Sequence, residues 1–306
     1  MNRALVSLTI ATLLCAAASV ASAQEAFKTP DEAASALVSA AKANDMKALT
    51  TVLGPDGDAI VSSGDKVADA TARQKFVAAY QAKHQISMDG DNKAIMVIGE
   101  QDYPLPIPIV RKDGMWRFDT AAGREEILAR RIGRNELDAI QSCLAYVDAQ
   151  NDYASKDRTG AGVNTYAQRI VSHPGKKDGL YWPTSPGEEP SPLGQLVAEA
   201  TAQGYDVGGG RAPFHGYYFK VLTKQGAAAP GGELEYIVHG KMIGGFALVA
   251  YPAEYRNSGV MTFIVSYSGT VFQKDLGPNT AKLAQRMTSF NPNKTWQKVT
   301  DTAPLQ

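Results

Sequence analysis

The sequence predicts an α+β protein of two domains, each with helices first and antiparallel strands after them. Three observations carry this reading. Capped helix signals crowd residues 29–82, strand runs around a tight Asp-Gly turn follow over residues 85–119, and the helix-then-strand order returns from residue 120 onward. With 306 residues and 44% hydrophobic side chains, the chain is long enough for two conventional cores. The expected division is 1–23 as an export signal, 24–122 as a cone-shaped α+β domain, and 123–306 as a long helix plus an antiparallel sheet.

Residues 1–23 carry Arg3, an apolar run through Leu14, and Ala21-Ser22-Ala23, the small-x-small pattern that signal peptidase reads. Cleavage is expected between Ala23 and Gln24, placing the protein in the periplasm or outside the cell. Cys15 is not a lipidation site on this reading, because Leu14 stands where a small residue is needed. The apolar run falls short of the roughly 20 residues that span a bilayer, and no later segment reaches that length, so no transmembrane helix is expected after cleavage. Arg3 is the only charged residue removed, so 31 basic and 31 acidic side chains stay balanced to within one. That balance argues against a nucleic-acid partner bound by bulk charge. Of the two cysteines only Cys143 would remain, so no internal disulfide forms despite the oxidising compartment. Its place in an apolar helical pattern reads as packing rather than as a nucleophile.

The first helix is announced by Thr29-Pro30-Asp31-Glu32, a capping threonine, a first-turn proline and an N3 glutamate, with Ala33, Leu37, Ala40 and Ala41 on one face. Asp45 caps a second, carrying Leu49, Val52 and Leu53 and stopping at Gly54. Asp69 is expected to open a third, with Phe76, Val77 and Tyr80 turned inward. QISM and AIMVI then read as strands. Pro104, Pro106 and Pro108 recur at alternate positions and predict an edge strand whose open side lacks donors. Asp113-Gly114 makes a hairpin, returning with Trp116 and Phe118 on one face.

Residues 111–131, RKDGMWRFDTAAGREEILARR, crowd arginines and acids around a tryptophan. Asp119-Thr120 suit a helix start, Glu126 and Arg130 form an i, i+4 pair, and an apolar stripe of Leu137, Ile140, Leu144 and Val147 continues past a weakening Gly133 to about Tyr153. The stretch therefore reads as a joint between domains with its charges on solvated helix faces, and neutralising Arg130 or Arg131 is expected to cost about 0–1 kcal/mol. Beyond an irregular Gly/Pro-rich middle come YYFKVLT, EYIVH, FALVAYP, VMTFIVSY and TVFQKD, the last two joined at Ser268-Gly269.

The element order of the first half resembles the nuclear-transport-factor-2-like superfamily, which implies a pocket between sheet and helices. The long helix followed by FALVAYP, the turn near Gly259 and the strand-Gly-strand ending resembles the globular head of type IV pilins and pseudopilins. The amphipathic helix lies behind another domain, so pilin-type polymerisation is not expected. Over nearly the whole mature length, PIPIVRKDGMWRFDTAAGREEILARRIGRNE, KKDGLYWP, PFHGYYFKVLT, GGFALVAYPAEYRNSGVMTFIV and FQKDLGPNT resemble the exported bacterial domain-of-unknown-function family 2950. This implies organisation and no reaction. In that family the segment here reading DRTGAGVNTYA approaches an acidic calcium loop; Asp157 and Gly162 are kept, but Thr159 and Ala161 replace oxygen donors.

No metal site, cofactor or catalytic residue is assigned. His84, His173, His215 and His239 lack zinc-ligand spacing, and no G-x-S-x-G, phosphate or dinucleotide motif occurs. Ser39-x-x-Lys42 and Ser63-x-x-Lys66 lack the companion motifs of penicillin-interacting enzymes, and Glu233 with Glu235 lines a solvated hairpin. What remains are aromatic residues, Trp116 beside the joint and Tyr181, Trp182, His215 and Tyr217 in the loops LYWP and PFHGYY. These are candidates for stacking on an envelope glycan or peptide; the alternative is that they plug the ends of the sheet. The reading is an exported, non-catalytic binding or assembly module whose partner is an envelope protein or polymer. The alternative is a hydrolase or isomerase using a pocket in the first domain, with His84 or a carboxylate such as Asp102 as base.

Overall fold

The computed structural model describes residues 24–160, 162–206 and 212–300, so the export-signal reading of residues 1–23 lies outside the described residues. The protein is mixed α+β with antiparallel main sheets. Its first part holds helices α1 (Pro30–Ala43), α2 (Met46–Leu53), α3 (Asp58–Val61) and α4 (Lys66–Ala82). Strands β1 (His84–Met88), β2 (Lys93–Ile98), β3 (Tyr103–Pro104), β4 (Ile109–Lys112) and β5 (Met115–Phe118) follow.

Local chemistry sets most of these ends. The Thr29 hydroxyl accepts the Glu32 N–H, the Asp45 carboxylate accepts that of Ala48, and Gly54 stops α2 at a φ of 77°. The third long helix departs from expectation. It starts at Lys66, because Asp65 has the extended backbone of a cap and accepts N–H groups from Val67 and Ala68. Asp69 lies inside the first turn and bends back to Ser63. The four-residue α3 is too short to leave a periodic signal.

The proline run is corrected too. It is not one edge strand: its start, β3, pairs with β2 alone, while its end, β4, lies between β2 and β5 in the order β1-β2-β4-β5. Strand β2 pairs with β3 at Val97↔Pro104 and with β4 at Ala94↔Ile109. Pro106 and Pro108 have no N–H to give a neighbour, so the chain leaves the sheet between them and rejoins at Ile109. The outer edge of β5 is covered by Phe27, whose N–H donates to the Trp116 carbonyl at 2.9 Å and whose carbonyl accepts in return at 2.8 Å. Asp113 and Gly114 both take positive φ, 53° and 77°, as a two-residue hairpin requires. Leu37, Leu53, Met96, Ile109, Trp116 and Phe118 are buried in this first core.

Helix α5 (Thr120–Tyr153) runs unbroken for 34 residues, about 50 Å, past Gly133. Two of its glycines predict opposite outcomes. A Cβ on Gly133 meets nothing within 4 Å, so Gly133→Ala should stabilise by about 0.5–1 kcal/mol through helix propensity alone. A Cβ on buried Gly123 would lie 2.5 Å from the Pro106 carbonyl oxygen, backbone that cannot swing aside, so Gly123→Ala should destabilise by about 1–3 kcal/mol. Urea melts of the two single variants check the sign.

The second part contains α6 (Gly194–Ala202), β6 (Tyr217–Leu222), β7 (Lys224–Gln225), β8 (Leu234–Glu235), β9 (Ile237–Val238), β10 (Lys241–Met242) and β11 (Ala247–Pro252). After these come β12 (Met261–Ser266), β13 (Val271–Asp275), α7 (Thr280–Arg286), β14 (Ser289–Phe290) and β15 (Gln297–Lys298). The main sheet is antiparallel in the order β15-β13-β12-β11-β6. All six residues of β11 are buried, and the strand contacts both α5 and α7. EYIVH is not one strand. Buried Tyr236 divides it, donating its hydroxyl to Gln225 at 2.9 Å, and the flanking pairs join different neighbours, β7 and β10. Tyr146, Tyr217, Phe246, Leu248, Phe263 and Ile264 belong to the second core.

Candidate functional site

The two cores meet along α5, and the meeting is made by hydrogen bonds. Arg124 pairs with Asp56 at 3.0 Å, and Arg130 pairs with Glu126, all with about half of each side chain exposed. Arg131 differs. Its guanidinium donates to the carbonyls of Ala59 (2.7 Å) and Ile60 in α3 and to Asn257 Oδ1 (2.5 Å), while Asn257 donates to the Ser62 carbonyl at 2.8 Å. Burial pulls the Arg131 pKa below its ordinary value. The arginine-rich stretch thus contains a clamp between the two parts, and the expectation that Arg131 is as cheap to lose as a surface ion pair is corrected.

Asp65 makes a second tie. Its Oδ1 caps α4, and its Oδ2 accepts the Tyr205 hydroxyl and the Gly216 N–H, each at 2.9 Å. The Tyr205 oxygen in turn accepts the His215 N–H at 3.3 Å. From α5, Asn135 donates to the Ser258 carbonyl at 2.9 Å, and one Glu136 oxygen accepts the N–H groups of Val260 and Met261. These bonds fix the two parts against each other.

Beneath them lies a cavity of about 400 Å³. Leu37, Leu49, Leu53, Phe76, Ile107 and Ile127 face it from α1, α2, α4, the proline segment and α5. Asp69, Arg131, Arg134, Asp138, Tyr205 and His215 add the polar wall. Asp69 accepts the Ser63 hydroxyl at 2.7 Å and the Ser63 N–H at 3.0 Å. Asp138 Oδ2 lies 3.1 Å from His215 Nδ1, and His215 is held at a φ of 48°.

Of the aromatic candidates, only His215 lines this cavity. Trp116 is 6% exposed in the first core. Tyr217 is fully buried with its hydroxyl on the Met261 carbonyl at 2.9 Å. Trp182 is 5% exposed, edge-on to Tyr153, with Arg158 and Lys177 each 5.5 Å from its ring centre. Tyr181 is half-buried and bridges Val171. Trp116, Trp182 and Tyr217 therefore present no open face, and the five do not converge on one platform. His84 stacks on Tyr80 at 3.7 Å, and Asp102 pairs with Lys83 at 2.8 Å on the surface; neither lines the cavity. Sequence reasoning missed Asp65, Arg134, Asp138 and Tyr205. Only Asp65 left a local signal, as an acid just before a helix.

The remaining chemistry is sparse. Burial pushes the Cys143 thiol up to about 12, so it stays protonated. Asp157 is turned onto the N–H groups of Thr159 and Gly162. Among the described residues no group of three or more His, Cys, Asp or Glu is placed to hold a metal, and no helix is long and apolar enough to cross a membrane.

Fold and site define an α+β protein in which two cores share one long helix and close over a lined cavity. The chain belongs to the DUF2950 family, described as a protein of unknown function, whose family model matches residues 24–299. No curated protein and no solved structure matches it.

Proposed function

We propose that the protein is an exported, non-catalytic binding or assembly module of the bacterial envelope, periplasmic or secreted, and that its ligand sits in the cavity beneath the joint. The observation that carries this reading is the cavity's lining: a largely apolar wall whose two acids, Asp69 and Asp138, are already held in structural bonds. A glycan or peptide platform on Tyr181, Trp182, His215 and Tyr217 would need two buried rings to leave the core, so the cavity is preferred. The helices-then-sheet order of the first part supports a nuclear-transport-factor-2-like cone. The long helix followed by an antiparallel meander supports a pilin-like head.

One observation favours the hydrolase or isomerase reading: a carboxylate orients His215 Nδ1 at the cavity, as in acid–base histidines. Two candidate nucleophiles are otherwise engaged among the described residues: the Ser63 hydroxyl is donated to Asp69, and Cys143 is buried. Native mass spectrometry of protein taken from cell envelopes should show a retained small molecule, lost in Ala72→Trp, which fills the cavity mouth from an exposed helix position. Ester, peptide and glycoside substrates should not turn over. Turnover that vanishes in His215→Ala would replace the binding module by an enzyme.

A further inference from the structure

The cavity wall also says what kind of molecule would fit. Its inner part is aliphatic and aromatic carbon, and its volume of about 400 Å³ lies at the small end of ligand pockets. The charged side chains in its lining fall into two groups. Asp69 is engaged by Ser63, Asp138 by His215, Arg73 by Asn44 Oδ1 (2.7 Å) and the Val61 carbonyl (3.1 Å), and Arg131 by its clamp. Lys75 and Arg134 are exposed and have no hydrogen bond or ion pair among the described residues. Among the described lining residues four basic side chains, Arg73, Lys75, Arg131 and Arg134, stand against two carboxylates, Asp69 and Asp138, so the charge at the cavity is net positive.

We propose that the cavity takes a single-chain amphiphile, with its alkyl chain against Leu37, Leu49, Leu53 and Phe76 and an anionic head, carboxylate or phosphate monoester, at Arg134 and Lys75. This rests on the reading that the cavity is the binding site. A cationic head would meet two like charges, and a neutral one would gain no attraction from them. An alkyl chain suits the apolar part of the wall, where Leu37, Leu49, Leu53 and Phe76 offer no hydrogen bond.

Calorimetric titration of the purified protein tests the chemistry with dodecanoate, dodecyl phosphate and dodecyltrimethylammonium. The two anions should bind and the cation should not; which anion binds more tightly identifies the head. Decanoate should bind about tenfold more weakly than dodecanoate, because two buried methylenes are missing. Arg134→Glu with Lys75→Glu, both at exposed unbonded positions, should weaken dodecanoate by at least about tenfold and admit the cation. Equal binding of cation and anion, or an unchanged affinity in the charge-reversed variant, overturns the head-group assignment. If Ala72→Trp still abolishes that binding, the cavity reading survives the loss. Failure of all three probes, alongside an envelope adduct that Ala72→Trp eliminates, overturns the amphiphile and leaves the cavity. Failure of the probes with no such adduct overturns both.

Discussion

Trp116→Ala is expected to cost about 3–5 kcal/mol, the range for deleting a large aromatic from a packed core. The indole is 6% exposed, on a strand that also holds the entering chain through Phe27, so the surrounding main chain has little freedom to collapse into the space. The neighbouring arginines set the scale. Arg130→Ala removes a half-exposed pair with Glu126 and should cost about 0–1 kcal/mol. Arg131→Ala strips charged donors from two α3 carbonyls and Asn257 and should cost about 2–3 kcal/mol. Urea melts should therefore rank Trp116 above Arg131 and Arg131 above Arg130. A Trp116→Ala midpoint near wild type would mean that the first core does not hold this edge of the protein. Equal midpoints for the two arginine variants would remove Arg131 from the joint.

That ranking shows where the sequence was readable. Thr29, Asp45 and Asp113-Gly114 act on atoms two to four residues away, so their roles follow from spacing alone. Trp116 and Phe118 alternate on one strand and are buried together. Asp65 and Asp69 could not be told apart, because both acids stand near a helix start and only the backbone angles of Asp65 are those of a cap. The proline run looked like one strand because a strand's alternation says nothing about where the run itself, for want of N–H donors, leaves its partner. Trp182 and Tyr217 carried no usable burial signal: one lies in an irregular loop, the other opens a strand, and a distant segment covers each. The cavity was the least legible feature. Its lining comes from all five helices α1 to α5, from the proline segment and from loop residues Ser63, Tyr205 and His215, and the tie that closes it, Asp65 to Tyr205, spans 140 residues.

Asp65→Ala should be the most costly single change at the joint, about 3–7 kcal/mol, lowering the melting temperature by roughly 10 °C or more. The side chain is 1% exposed and does two jobs at once. Losing the cap of α4 accounts for about 1 kcal/mol. Leaving the Tyr205 hydroxyl and the Gly216 N–H without their acceptor adds about 1–3 kcal/mol for each buried donor. Burial and the Asp65 charge both push the Tyr205 pKa above its ordinary value, so the hydroxyl keeps its proton and still needs an acceptor. Asp65→Asn should cost less, since its amide oxygen can keep the cap, but its NH₂ would then face two donors. Tyr205→Phe removes one of those donors and should cost only about 1 kcal/mol, because Asp65 keeps its other partners. The two effects should not add: a double-mutant cycle between Asp65→Ala and Tyr205→Phe should give a coupling of about 1–2 kcal/mol. Additivity within about 0.3 kcal/mol would mean that this bond does not tie the first part to the second, and the closure of the cavity would then rest on the Arg131–Asn257 clamp and on the Gly216 N–H at Asp65.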